Sequence, residues 1–236
     1  MSVHECAHAE TGDSGTLALG GGAVLPRQLC AALSSLERGQ RPLQAIDVLA
    51  ACVRLRVSAL ILLRQRGMVW PLTLFPQHQL HHLPCAAVAR LSEGGRELEV
   101  ISVEPPGLRA PLGQGTSVSD GSGYGPIQPL LWAMAMHAPC SGLFAEISGR
   151  AAYRITADTC DDGLVGGAVK SSLKRLRKDV AALHDIAAWP GMGTDRATRL
   201  LNGAYLQGGL RVLRMHPSAR DAAPLGSRHS WLTRRP

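Results

Sequence analysis

The chain has 236 residues, a formal net charge of +7, 45% hydrophobic residues and only 4% aromatic ones. A chain of this length buries most of its apolar surface in one large or two small domains, and here the core must be built from Leu, Ala and Val rather than rings. So few aromatics argue against a ring-lined platform for single-stranded nucleic acid, and no apolar run approaches the roughly 18 residues of a membrane-inserted helix.

The charge is concentrated at one end. Residues 1–162 carry 12 Lys and Arg against 14 Asp and Glu, residues 163–216 carry 9 against 3, and residues 217–236 carry 4 against 1. The basic last third suits phosphate, an anionic membrane surface or an acidic partner protein. Cys6, Cys30, Cys52, Cys85, Cys140 and Cys160 are widely spaced, and no two form a Cys-x-x-Cys pair. The first residues lack the charged and apolar regions of a secretory leader. Free, mostly buried thiols in a reducing cytoplasm follow as the expectation, without the usual sequence signal for structural zinc.

Residues 1–24 are rich in Gly, Ala, Ser and Thr and read as a disordered leader. Within them His4-Glu5-Cys6-Ala7-His8 matches the His-Glu-x-x-His pattern, in which two histidines one helical turn apart bind zinc and the Glu acts as general base. That chemistry needs a buried helix in a cleft. Gly12 and Gly15 follow too closely for one, so the match reads as coincidence.

From Leu25 to Glu37 the residues Leu29, Ala32 and Leu36 recur at helical spacing, and Gly39 offers a stop. Pro42 fits the first turn of a second helix, on which Ile46, Leu49, Ala50 and Val53 form one stripe. Then the period changes. Ser58–Arg64 and Val69–Phe75 read as two strands joined by a turn at Gln65-Arg66-Gly67, and Pro71, which has no N–H to give a ladder, predicts an edge or bulge there. Gln79–Leu83 suggests a third strand, Pro84–Leu91 a helix and Leu98–Val103 a further strand. His78, His81 and His82 lie close together, with His78 and His82 on one face if the segment is a strand. Lacking companion ligands, they read as solvated or hydrogen-bonded histidines rather than a metal site.

The segment Leu-x-x-x-Asp-Val-Leu from Leu43, then Ser-Ala-Leu-Ile-Leu-Leu-Arg from Ser58, a Gly turn, and Val-Trp-Pro-Leu-Thr-Leu-Phe from Val69 resembles the PATAN-like bacterial domains, named after the PatA N-terminal region. The resemblance covers residues 43–83. It departs from that pattern at Ser58, where a Gly is expected, and at Pro76-Gln77, where an Asp-Gly turn is expected. It implies a non-catalytic regulatory domain of bacterial signalling that works through protein partners.

Pro105–Pro126 is rich in Gly, Pro and Ser and is predicted to be a linker. Gly113-Gln114-Gly115 and Gly121-Ser122-Gly123 within it lack the preceding strand and the Gly-Lys-Ser/Thr ending of a phosphate loop. Ile127–His137 reads as a helix and the stretch to Thr159 as irregular; Asp158, Asp161 and Asp162 suit a loop ahead of a helix N-terminus.

Val169, Leu173, Leu176, Val180 and Leu183 then step by helical intervals. A short helix over Leu183–Ala188 stops at Pro190-Gly191, Thr194 is placed as the N-cap of a longer helix with the stripe Ala197, Leu200, Leu201, Ala204 and Tyr205, and Leu210–Arg214 follows as a strand. This order is that of a winged-helix unit, over residues 169–214. The candidate docking or nucleic-acid face comprises Lys170, Lys174, Arg175, Arg177, Lys178, Arg196, Arg199 and Asn202. If the unit binds duplex DNA, Arg196, Arg199 and Asn202 would reach base edges while Lys174, Arg177 and Lys178 hold phosphates. Residues 217–236 read as a disordered basic tail.

The expectation is therefore an α+β protein: a small N-terminal antiparallel sheet with helices over residues 25–104, a linker over 105–126, and a mainly helical part over 127–216. No catalytic, cofactor or metal constellation emerges. A cytoplasmic regulatory or adaptor protein that docks another signalling protein is the reading, with a DNA-binding regulator as the alternative.

Overall fold

The computed structural model describes residues 24–38, 43–84, 98–111, 123–137, 141–156 and 165–219. The His4/His8 motif, the helix expected over Pro84–Leu91, the Gly113-Gln114-Gly115 loop, the acidic cluster at Asp158–Asp162, four of the six cysteines and the tail after Ala219 lie outside them. The fold is α+β.

The first two helices form as α1 (Arg27–Arg38) and α2 (Ala45–Leu55). On α1 the buried pair is Leu29 and Leu33, whereas Leu36, expected on the inner stripe, is exposed. Helix α2 buries Ile46, Val48, Leu49 and Cys52 and ends at Arg56, whose left-handed backbone (φ 53°) closes the helix where glycine is commonest.

Strands β1 (Ala59–Gln65) and β2 (Met68–Phe75) form the expected hairpin. Arg66 (φ 49°) and Gly67 (φ 77°) make its two-residue turn, and two positive φ values match the twist of the flanking strands. A short 3-10 turn, Pro76–His78, leads to β3 (Leu80–His82); β4 (Glu99–Glu104) pairs with the other side of β1. Pro71 lies beyond the end of β3, which pairs only with Thr73–Phe75, so its missing N–H does not interrupt that ladder. The irregularity falls on the neighbouring β1–β4 pair, at Leu62/Leu63.

The expected linker is corrected at its end. Tyr124–Pro126 is strand β5, an edge of the five-stranded antiparallel sheet β4-β1-β2-β3-β5, and it runs straight into α3 (Ile127–His137). The composition misleads because the glycine serves a close approach: a Cβ on Gly125 would stand 2.8 Å from Cε1 of His81. His81, 6% exposed, meets the Pro126 carbonyl through Nδ1 at 3.1 Å, while His82 packs edge-on against Tyr124. His78 lies in the 3-10 turn rather than a strand, so it does not share a strand face with His82. Among the described residues no group of three His, Cys, Asp or Glu is placed to hold a metal.

Burial of His81 pushes its pKa below the ordinary 6.5, with the bond to Pro126 opposing and neighbouring His82 adding. The unfolded chain takes up this proton near 6.5 and the folded one only at lower pH. The stability contributed by the neutral ring is therefore complete above pH 6.5 and is lost as pH falls through the folded value. Urea midpoints at pH 7.5 and 5.5 are expected to drop more for the wild type than for His81→Gln; an equal drop would clear His81 of any role.

The C-terminal part is less helical than its sequence suggests. The stretch to Thr159, expected to be irregular, contains β6 (Ala152–Ile155), the central strand of a second, three-stranded antiparallel sheet. Tyr153 on β6 is 1% exposed and donates its hydroxyl to the Ile147 carbonyl at 2.7 Å. Helix α4 (Gly167–Lys178) stops earlier than expected, because Ala181–Ala182 leave the helix to pair with β6 as β7. Then come α5 (Leu183–Ala187), α6 (Thr194–Leu206) and β8 (Leu210–Leu213). Thr194 is the first helical residue of α6 rather than its cap; Gly193 holds that position with no side-chain bond. The predicted order of helices is present, but the sheet centre, filled in a winged helix by the strand returning from the wing, is filled by β6 from ahead of α4. No strand returns from β8 among the described residues. At the start of the segment expected to be a disordered tail, Pro217–Ala219 forms a 3-10 turn with Ala219 buried.

Buried side chains from Leu29 to Leu206 form one hydrophobic cluster that includes both sheets. An Arg54–Glu146 ion pair and a hydrogen bond from Gln128 Nε2 to Gln79 Oε1 tie elements either side of residues 105–126. No helix of the described residues is long and apolar enough to cross a membrane.

Candidate functional site

The eight candidate residues divide into two groups with different fates. On α4, Leu173 and Leu176 are fully buried against the core and Ser172 nearly so. The opposite side carries Lys174, Arg175 and Lys178, all exposed, with Lys170 and Arg177 half-buried beside them. Lys170, Lys174 and Lys178 recur every four residues and so line one side of the helix. None of these three lysines makes an ion pair among the described residues. Arg175 is held more firmly: its guanidinium lies 4.5 Å from the centroid of the Trp189 ring, and its Nε is 3.7 Å from the Asp179 carboxylate. The last turn of α4 thus collects Arg175, Arg177 and Lys178 at its negative end, where cations are favoured.

The candidates on α6 do not join that face. Asn202 is 0% exposed; its Oδ1 accepts the Phe144 N–H at 3.2 Å and its Nδ2 donates to the Gly142 carbonyl at 2.9 Å. Arg199, with a side chain 15% exposed, donates to the Met136 carbonyl at 2.9 Å and to Asp195 at 3.0 Å. Arg196 is exposed, yet it is folded back onto the Gly191 carbonyl at 2.7 Å. From Ala197 to Leu206 only Arg199 and Tyr205 are even partly exposed. The helix is seated on α3, where Gly203 admits the Trp132 ring. A helix enclosed in this way presents no row of side chains to a major groove, and Arg199 and Asn202 are corrected from base readers to ties between α6 and its neighbours.

A cavity of about 670 Å³ lies between α3, the start of α4 and α6, with Arg196 and Arg199 at its margin and Trp132, Ala133 and Met136 along one wall. Both guanidiniums there are already committed to protein carbonyls. Sequence reasoning missed Trp189, which holds Arg175 in place from 14 positions away. It also missed four glutamines gathered at a second cleft from distant stretches, which no local spacing could reveal. Comparison of the chain with protein-family models, with curated proteins and with solved structures finds no match at any level that would assign it to a family.

Proposed function

We propose that this protein is a non-catalytic regulatory or adaptor module that docks an acidic surface of another signalling protein on the basic side of α4. The supporting observation is the contrast between the two helices: α4 exposes Lys174, Arg175 and Lys178 while α6 is enclosed. The likeness of residues 43–83 to PATAN-like regulatory domains favours the same class. Work in a reducing cytoplasm suits Cys52, a buried thiol whose burial pushes its pKa up to about 12 and leaves it protonated and unreactive.

Fluorescence anisotropy of the full chain with a labelled 20-residue glutamate peptide tests the face. Exposed charges contribute roughly 0.2–1 kcal/mol each, so reversing three of them in Lys174→Glu, Arg175→Glu, Lys178→Glu is expected to weaken binding about tenfold or more, and added salt to weaken the wild type. A duplex of preferred sequence bound at least tenfold more tightly than random duplex, with the preference lost in Arg196→Ala, would replace this reading with that of a DNA-binding regulator.

A further inference from the structure

Four glutamines, at positions 77, 79, 128 and 207, meet on a cleft of about 600 Å³ bounded by the ends of α2 and α6, the turn after β2 and the start of α3. The volume is that of a small-molecule site, and such sites favour junctions between structural units. The floor is apolar, with Ile127, Leu131 and Leu206 all buried.

The hydrogen bonds fix which way each amide points. Gln77 Nε2 donates to the Arg56 carbonyl at 3.1 Å, Gln79 Nε2 to the Pro76 carbonyl at 2.7 Å, and Gln207 Nε2 to the Gln128 carbonyl at 2.7 Å. A backbone carbonyl only accepts, so each contact must be made by the –NH2 end. With its nitrogen committed, Gln79 offers Oε1 to Gln128 Nε2, which orients the fourth amide as well. The amide oxygens of Gln77, Gln128 and Gln207 accept no hydrogen bond among the described residues. The cleft is thus supplied with acceptors whose orientation is set in advance.

Arg56 brings the one charge. No Asp or Glu lines the cleft, and the Arg56 guanidinium makes no ion pair among the described residues. Its backbone is left-handed, as is that of Gln79 (φ 56°); of the three non-glycine residues with positive φ among the described residues, these two line the cleft and the third makes the hairpin turn. Both positions favour glycine on backbone grounds, so what the chain gains by departing from it is the side chain.

We propose that this cleft binds the carboxylate end of an acylated amino acid. The carboxylate pairs with Arg56, the adjacent N–H is received by the glutamine oxygens, and an apolar side chain rests on Ile127, Leu131 and Leu206. A peptide C-terminus and a free N-acyl amino acid share this chemistry. The site is separate from the α4 face and stands or falls independently of it.

Calorimetric titration of the full chain with N-acetyl-Ala-Ala-Leu as the free acid, the same peptide as its C-terminal amide, and N-acetyl-leucine tests the assignment. The free acid is expected to bind at least tenfold more tightly than the amide. N-acetyl-leucine binding as well as the tripeptide acid identifies a small-molecule site, and binding tenfold more weakly identifies a peptide C-terminus. No heat from any of the three at millimolar concentration, or equal binding of acid and amide, overturns the proposal. In Arg56→Gly the discrimination between acid and amide is expected to vanish while the melting temperature stays level or rises, because glycine suits that backbone. Arg56→Gln, which keeps a long polar side chain, is expected to lose the discrimination too; its survival in either variant also overturns the proposal.

Discussion

Asn202→Ala is expected to lower the unfolding free energy by about 2–4 kcal/mol, read from urea midpoints at unchanged slope. The side chain is fully buried within α6 and bridges the Phe144 N–H and the Gly142 carbonyl of the loop ahead of β6. Alanine leaves both groups without this partner, and an unpaired buried backbone group costs roughly 1–3 kcal/mol. The gain in helix propensity, about 0.7 kcal/mol or less, is too small to offset that. Loosening the loop also disturbs Phe144, whose ring lies 5.6 Å from that of Tyr205. Asn202→Asp separates the two bonds, since a carboxylate still accepts from Phe144 but no longer donates to Gly142. Its burial raises the carboxyl pKa, so the folded state gains a proton before the unfolded one does as pH falls, and the damage is expected to be smaller at pH 4 than at pH 7. A change under about 0.5 kcal/mol for Asn202→Ala, the level of an ordinary surface substitution, would mean that Asn202 is not a tie and would reopen α6 as a reading helix.

The elements set by local chemistry were legible in the sequence. Apolar residues at helical spacing located α1, α2, α3 and α6, and the Arg66-Gly67 turn between apolar runs located the β1–β2 hairpin. What failed was set by distant partners. Val180 and Leu183 continue the helical rhythm of α4, but pairing of Ala181–Ala182 with β6 draws the chain out of the helix before them. Tyr124-Gly125-Pro126 has a turn-like composition and becomes a strand because β3 lies alongside and His81 needs the space above Gly125.

The site divides along the same line. Five basic residues in nine positions announce the α4 face through charge alone, whereas the α6 candidates were misplaced by treating its polar residues as its outer side. Helix α6 is covered on more than one side, so Asn202, expected to reach base edges, is buried, and Thr198 with it. The glutamine cleft joins positions 79, 128 and 207, and only the folded chain brings those together.

Gly203→Ala tests whether α6 is seated on α3 as described. In an exposed helix this change stabilises by roughly 1 kcal/mol, because glycine gives up more backbone freedom than alanine on folding. Here the new Cβ would stand 2.7 Å from Cζ3 and 2.8 Å from Cε3 of Trp132, and 3.3 Å from Cβ of Ala135. The indole is 4% exposed and hemmed in by the core, so it cannot swing aside as a surface side chain would. Overpacking of this kind costs roughly 1–3 kcal/mol, which cancels the gain or turns it into a net loss of up to about 2 kcal/mol, and a larger one for Gly203→Val. The contact itself is isolated by a double-mutant cycle with Trp132→Phe. That substitution removes the outer ring and sacrifices no hydrogen bond among the described residues, since the Trp132 Nε1 has no partner there. Gly203→Ala is expected to be better tolerated in the Trp132→Phe background by about 0.5 kcal/mol or more, the range of coupling between touching residues. If alanine stabilises both backgrounds equally, α6 stands clear of α3, its buried polar residues regain a surface, and the case for α4 as the docking face loses its contrast.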